Sequence, residues 1–354
     1  MSLLELKAYV DQSIKDKHNS HGLRAQSSFV ILEDIDLMID QYFKENPLEK
    51  GSILLNVFGL LQGLFVAIDA LYDLAIGLTQ YKYHVNININ PTLHELKYIR
   101  NDIVGHPTHR TYSDGGIGFS IMDQNSISKD KLSYKTYIYE KNKLDIKTKH
   151  VLFTPLVQAY HKEKEIILVD ILKYLKHETT ETNIPEQVYT LFETLNLDLL
   201  DRIQKLFKKE YELEEQSSHR FMWRANLLKL LINWEEKDDE LREIILYMSK
   251  LQASKMYEIA LNMEKRVGKD LYVPIPNMLY AFYKFMRKHE KVALPLIENL
   301  HDVNDPFLSR NILALLALNP SKDASRLIHF LKSQEDENKV FLIGSIMRMY
   351  RPKN

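Results

Sequence analysis

An arginine, an amide side chain and a histidine lie within seven consecutive residues, where a helical pattern ends. Asn101 follows Arg100 directly, and five residues separate Arg100 from His106. A guanidinium binds a phosphate through two parallel N–H bonds and stays charged at any working pH, whereas an imidazole exchanges protons near neutrality. This combination predicts phosphodiester cleavage, in which Arg100 and His106 act on one phosphate. Asn101 is expected to orient the histidine or a phosphate oxygen.

The residues around this segment predict the helix that carries it. Pro91 suits the first turn of a helix, and Gly105 with Pro107 marks its end. Between them, apolar residues at helical spacing predict an inward face made of Leu93, Leu96, Ile99 and Ile103. The same periodicity predicts three further helices, over residues 23–43, 52–78 and about 154–175. Four such helices predict a compact bundle.

The pattern changes to short strands between residues 111 and 150. Runs with strand character, separated by turn-forming residues, cover Gly118–Met122, Lys131–Glu140 and Leu144–Lys149. These runs predict a small antiparallel β insertion between the third and fourth helices of the bundle.

The chain beyond Pro185 returns to helices, so the fold is predicted to be mainly α. A length of 354 residues suits about two domains. We therefore predict an N-terminal extension over 1–22, a bundle with its β insertion over 23–180, and an α-helical C-terminal domain over 186–354. The pattern at 305–331 is typical of the helical hairpins that stack in solenoids, although no sequence period is visible.

Composition excludes several classes of protein. The chain has no cysteine, which excludes disulfides, thiol catalysis and cysteine-based zinc sites and suits the cytoplasm. Histidines and carboxylates do not recur at the spacing of a metallohydrolase helix, so we expect no metal and no cofactor. Asp69 and Asp73 interrupt the long apolar stretch, which argues against a membrane span. A net charge of −1 leaves nucleic-acid contacts to local basic patches.

The segment Leu96–Pro107 resembles the HEPN superfamily, whose signature is an arginine, a polar residue and, after a short spacing, a histidine. Asn101 stands at the polar position here. The layout of long helix, motif helix and closing helix is also similar, so the resemblance covers about residues 23–177. It implies a metal-independent endoribonuclease that acts on single-stranded or looped RNA, usually in toxin, phage-defence or RNA-processing settings.

The resemblance also implies a homodimer. Cleavage needs both a proton acceptor and a proton donor, and one arginine with one histidine makes a sparse site. A second copy paired along the motif helices would bring two arginines and two histidines to one cleft. The expected partners are therefore RNA, a second copy of the chain, and a cognate antitoxin or regulatory protein.

Secondary candidates surround the motif. Asp102 could orient His106, and His109 with Arg110 could bind phosphate at the rim, but solvated side chains are the alternative interpretation for all three. Residues on one face of the long central helix could line the site or could be hydrogen-bonded core polars; they are Gln62, Asp69 and Asp73.

The β insertion is locally basic. Residues 129–149 hold seven lysines and three acidic residues, which leaves four excess positive charges, with tyrosines interleaved. Lysines bind phosphates and aromatic rings stack on bases, so Lys131, Lys135 and Tyr137 are candidate RNA contacts. Protection of exposed strand edges by lysines is the alternative.

Two other functions remain compatible with the sequence. In one, the bundle is a catalytically silent HEPN-like interaction or ligand-binding module, with Arg100 binding carbonyls at the helix end. In the other, the chain is a helical scaffold without a nucleic-acid role.

Overall fold

The structure is a computed structural model that describes residues 2–15, 20–83, 85, 90–111, 116–140, 143–176, 182–213 and 219–351. Helices hold 69% of the residues, and the strands form one small antiparallel sheet. The predicted mainly α fold with a small β insertion is therefore confirmed.

Five helices form the N-terminal bundle: α1 (Ser2–Ser13), α2 (Ser20–Lys44), α3 (Lys50–Thr79), α4 (Pro91–Arg100) and α5 (Phe153–Lys176). The last four are the predicted helices. The first comes from the segment predicted to be an extension, yet it contacts α2 and α5 and buries Leu6 and Val10. The N-terminal segment is thus part of the packed bundle, because its apolar residues at i and i+4 share one face.

The β insertion is a sheet in the order β1 (Arg110–Thr111), β2 (Ile117–Met122), β3 (Lys131–Glu140) and β4 (Lys143–Leu152), with all neighbours antiparallel. The strands fall within a few residues of the predicted runs. One face of β3 is buried, through Leu132, Tyr134, Thr136 and Ile138. The alternation of buried and exposed residues along β3 gives the sheet an inner face and an outer face.

The remaining helices follow in sequence: α6 (Ile184–Thr194), α7 (Leu197–Glu210), α8 (Arg220–Ile232), α9 (Asp239–Met263), α10 (Asn277–Lys288), α11 (Glu290–Ile297), α12 (Leu308–Ala317), α13 (Lys322–Lys332) and α14 (Glu337–Arg348). Two large buried clusters lie along the described parts of the chain. The first extends from Leu6 to Met263 and the second from Leu227 to Tyr350. The domain boundary near Pro185 stays a prediction, but the first core continues across it into α6–α9.

The central helix α3 packs against α2, α4 and α5. Among the described residues it is also the one helix long and apolar enough to cross a membrane by length and composition, with 33% of its most apolar stretch buried. Buried positions such as Leu60, Leu64 and Leu71 face the bundle. Its other side carries half-buried apolar residues beside the motif helix, and the absence of a membrane span stays a prediction.

We expect Gly77→Ala to lower the free energy of unfolding by about 1–3 kcal/mol, because overpacking a tight contact is costly. A Cβ at Gly77 would lie 2.7 Å from the backbone nitrogen of Ala25 and 2.8 Å from the carbonyl oxygen of His21, both in α2. Gly59→Ala on the same helix is the control, since its Cβ would meet nothing within 4 Å. In urea unfolding, the free energy of unfolding of the control should rise by about 0.5–1 kcal/mol, because alanine has a higher helix propensity than glycine. Equal losses in both variants would contradict the close crossing of α2 and α3.

Candidate active site

The motif helix α4 is fixed at its start by residues that the sequence places there. The side-chain oxygen of Asn90 accepts hydrogen bonds from the backbone N–H groups of Thr92 and Leu93 at 3.1 and 3.3 Å, and Pro91 takes the first turn. The Asn90 amide also donates to Glu163 of α5 at 3.1 Å. The predicted inward face is buried, at Leu93, Leu96, Ile99 and Ile103.

The backbone widens after α4 into a π-helical turn over Asn101–Gly105. The N–H group of His106 closes this turn by donating to the carbonyl of Asn101 at 2.8 Å. Wide turns of this kind occur frequently at functional sites. A Cβ at Gly105 would lie 2.9 Å from Nη1 of Arg100. Gly105 therefore makes room for the guanidinium to fold back against the residue that precedes His106.

Three neighbours hold the half-buried guanidinium of Arg100. Its Nε donates to Oε1 of Gln62 at 2.9 Å, and its Nη1 donates to Oδ1 of Asn101 at 2.9 Å. The ring of Phe65 lies under it, with 4.8 Å from Cζ to the ring centroid. These bonds use two of the five N–H groups of an arginine. Within the described ranges, Nη2 has no hydrogen-bond partner, so it can bind an anion.

His106 is exposed at the end of the wide turn. In the part of the chain that the structure describes, no side chain hydrogen-bonds its ring, so the ring is accessible to a ligand. Asn101 joins the two candidate catalytic residues in a way that differs from the expected one. Its side chain binds Arg100, while its backbone carbonyl binds the backbone of His106. The amide thus positions the arginine directly and the histidine through the main chain.

Asp102 lies on the other side of the turn and is buried. Its carboxylate accepts hydrogen bonds from Nη1 of Arg110 at 2.7 Å and from the hydroxyl of Tyr134 at 3.1 Å. Burial and the neighbouring carboxylate raise the pKa of Tyr134, so the phenol stays protonated and donates. The guanidinium of Arg110 also lies over the ring of Tyr98, with 5.6 Å from Cζ to the centroid. Asp102 and Arg110 therefore join the motif turn to the β-sheet in this structure.

The face of α3 beside Arg100 holds the polar residues that sequence periodicity marked. Gln62 accepts a hydrogen bond from Arg100, whereas Oδ1 of Asp73 lies 3.9 Å from Nε of Arg24. Partial desolvation and the charge of Asp73 raise the pKa of Asp69, and the charge of Arg100 opposes that rise. Phe65 is absent from the sequence candidates. Its place three residues after Gln62 and four before Asp69 puts it on the same helix face, and that spacing is the signal that marks it.

The remaining candidates are spread over the loop and the sheet. His109 is exposed in the loop before β1. Lys131, Lys135 and Tyr137 share the outer face of β3, where both lysines are exposed and the tyrosine is half-buried. Lys141 of the basic insertion lies outside the described residues. The structure thus links Arg100 to Asn101 through their side chains and Asn101 to His106 through the backbone, and it sets the lysines on the sheet.

A polar cavity of about 660 Å³ lies between α4, the inner sheet face and the C-terminal part of the chain. Tyr98, Asp102, Arg110 and Asp305 are among its lining residues. The hydroxyl of Tyr98 donates to the carboxylate of Asp302 beside it. The motif helix therefore contacts the loop between α11 and α12 directly. Among the residues described, no group of three or more histidines and carboxylates has the geometry to hold a metal ion.

No protein-family model, curated protein sequence or solved structure matches this chain in the comparisons with known proteins.

We expect Asp102→Ala to lower the free energy of unfolding by about 3 kcal/mol, because it removes the buried carboxylate that pairs with Arg110. Tyr134→Phe removes one neutral donor and should cost about 1 kcal/mol. Both variants break the same hydrogen bond, so in urea unfolding the double variant should lose less than the sum of the single losses. Strictly additive losses would contradict the contact between Asp102 and Tyr134.

Proposed function

We propose that this protein is a metal-independent endoribonuclease of HEPN type. One observation carries the proposal: the guanidinium of Arg100 lies against Gly105, and the ring of the next residue, His106, is exposed. The arginine keeps an unused nitrogen for a phosphate, and its guanidinium lies against the residue that precedes His106. The toxin or phage-defence setting, a cognate antitoxin and a cytoplasmic location belong to this proposal through the resemblance and the cysteine-free sequence.

The reaction is attack by the ribose 2′-OH on the adjacent phosphorus. The 2′-oxygen forms a bond to phosphorus, the bond from phosphorus to the 5′-oxygen breaks, and the products carry a 2′,3′-cyclic phosphate and a 5′-hydroxyl. Arg100 stabilises the negative charge that develops on the non-bridging oxygens. Gln62, Asn101 and Phe65 already hold the guanidinium in place, which reduces the reorganisation that binding requires. His106 takes the proton from the 2′-OH or gives one to the leaving oxygen.

A homodimer would supply the second proton carrier. The outer side of α3, beside Arg100, presents apolar residues at helical spacing. Leu55 is 74% exposed, Phe58, Phe65 and Val66 are half-buried, and Gly59 borders open space. Two such faces packed about a two-fold axis would bury apolar surface and bring both motifs to one cleft. We therefore assign this α3 face to the dimer.

A catalytically silent interaction module is the second candidate, and the bonds that Arg100 makes favour it. An arginine that binds Gln62 and Asn101 and stacks on Phe65 stabilises the junction of α3 and α4 without any ligand. The two functions differ in one measurable respect, which is cleavage that depends on His106.

We expect His106→Ala and Arg100→Ala each to lower the rate of RNA cleavage by at least about 100-fold, the usual contribution of a positioned proton carrier or oxyanion partner. The assay is purified protein with mixed RNA in the presence of a chelator, followed by mapping of 2′,3′-cyclic phosphate ends. The controls are His329→Ala in α13 and Arg202→Ala in α7, both at exposed positions away from the motif. Cleavage that persists in His106→Ala, or no cleavage by the wild type, would favour the silent module.

Gly59→Arg is expected to convert the dimer into a monomer while leaving the fold intact. A side chain at Gly59 has open space in the single chain, so only a partner packed on this face would be displaced. Thr190→Arg adds the same side chain at an exposed position of α6, away from the α3 face, and is the matched control. Sedimentation equilibrium measures both. A Gly59→Arg protein that stays dimeric would rule out the α3 face as the interface.

A further inference from the structure

The outer face of the β-sheet exposes a row of aromatic and apolar side chains. It consists of the odd-numbered residues of β2 (117–121) and β3 (131–139) and the even-numbered residues of β4 (144–152), and we call it the outer sheet face. The strand registers place Phe119 opposite Tyr137 and Tyr137 opposite Ile146. Phe119 is 39% exposed and Ile146 is 50% exposed. Side chains directly opposite each other have Cβ atoms about 5 Å apart, so Phe119 and Tyr137 are neighbours on this face.

The charged side chains on the outer sheet face are all basic. Lys131 and Lys135 are exposed on β3, His150 lies opposite Ser133 on β4, and no aspartate or glutamate occupies any position of the outer sheet face. Asp145 pairs with Ile138 and so belongs to the inner face. Rings in the middle with lysines along the same strand fit a phosphate chain whose bases stack on aromatic side chains.

The β2 edge of the sheet is hydrogen-bonded to the chain beside the motif. The backbone N–H of Ser120, between Phe119 and Ile121, donates to the carbonyl of Pro107 at 2.7 Å. Pro107 directly follows His106, so the strand that carries Phe119 is hydrogen-bonded to the chain where it leaves the catalytic turn. A ligand that crosses this edge from the outer sheet face therefore reaches the segment beside His106.

We propose that the outer sheet face binds the single-stranded part of the RNA that Arg100 and His106 cleave, with bases stacked on Phe119 and Tyr137 and phosphates bound by Lys131 and Lys135. This inference rests on the proposed function, because it assigns the substrate of that site a path to it. The β insertion is then a substrate-binding element on its outer face, and its inner face holds the motif turn through Tyr134.

A second copy of the chain fits this face less well. A two-fold pairing of outer sheet faces would bury the lysines of both copies without any acidic residue on either face to pair with them. Single-stranded RNA supplies the phosphates that these lysines lack, and its bases cover the rings. A protein partner is therefore the alternative that the experiment must detect.

The test is binding of a labelled RNA of about 12 nucleotides, a length within the range of single-strand sites. It is measured by fluorescence anisotropy in a His106→Ala background that leaves the RNA intact. Phe119→Ala and Tyr137→Ala should each weaken binding about tenfold, while Tyr137→Phe keeps the ring and the affinity. Tyr272→Ala, at an 83% exposed tyrosine after α9, is the matched control and should change nothing.

The lysines are tested by the salt dependence of the same binding. Lys131→Ala/Lys135→Ala should reduce the slope of log affinity against log salt by about 1.4, since each phosphate contact on a single strand contributes about 0.7. Lys205→Ala/Lys209→Ala, at exposed positions on α7, removes the same charge elsewhere and should leave the slope unchanged.

The outcomes separate this inference from the proposed function. Wild-type cleavage that depends on His106, together with unchanged RNA affinity in the outer-face variants, would overturn the inference and keep the nuclease. Reduced affinity in those variants without cleavage by the wild type would support the RNA-binding face and overturn the nuclease. A changed oligomeric state in Phe119→Ala or Tyr137→Ala at unchanged RNA affinity would show a protein interface and overturn the inference.

Discussion

The wide turn at Asn101–Gly105 is the constraint on which the candidate site depends. In an α-helical turn the carbonyl of Asn101 would accept a hydrogen bond from the N–H of residue 105, whereas here it accepts from the N–H of His106. That bond places His106 outside the helix while Asn101 still holds Arg100 with its side chain. The arrangement also suits glycine at position 105, because a Cβ there would displace the guanidinium from its place. Arg100, Asn101, Gly105 and His106 thus specify one local geometry together.

Successive residues of this turn face two different surroundings. Asn101 faces Arg100 and the α3 helix, and Asp102 faces the interior, where it binds Arg110 and Tyr134. Buried ion pairs contribute little net stability, but they fix the relative position of the elements that carry them, since removing one partner is costly. The buried pair therefore holds the β insertion at a fixed place against the motif helix. The buried contacts of Asp102 therefore also fix where the outer sheet face lies relative to the motif turn.

Elements whose apolar residues follow a clear period were predictable from the sequence. The start of α4 at Pro91, its buried face and the strands of the insertion agree with the structure, because helix starts, periodicity and turn residues are local properties. Long-range contacts were not predictable in this way. The pairing of Asp102 with Arg110 and Tyr134 and the stacking of Phe65 under Arg100 join residues from separate elements. The packing of α1 was missed for the same reason, since its contacts with α2 and α5 also join separate elements.

The motif turn lies between two exposed apolar surfaces, and this position limits what each surface can do. Arg100 is bonded to α3 on one side, and the chain after His106 is bonded to β2 on the other. The outer side of α3 carries Asp69 and Asp73 one and two turns beyond Phe65, whereas the outer sheet face carries lysines and no acid. Electrostatics therefore favours RNA on the sheet and a protein surface on α3. If both surfaces are occupied at once, the guanidinium and the imidazole lie where the RNA path meets the protein interface, and the site is completed by both partners.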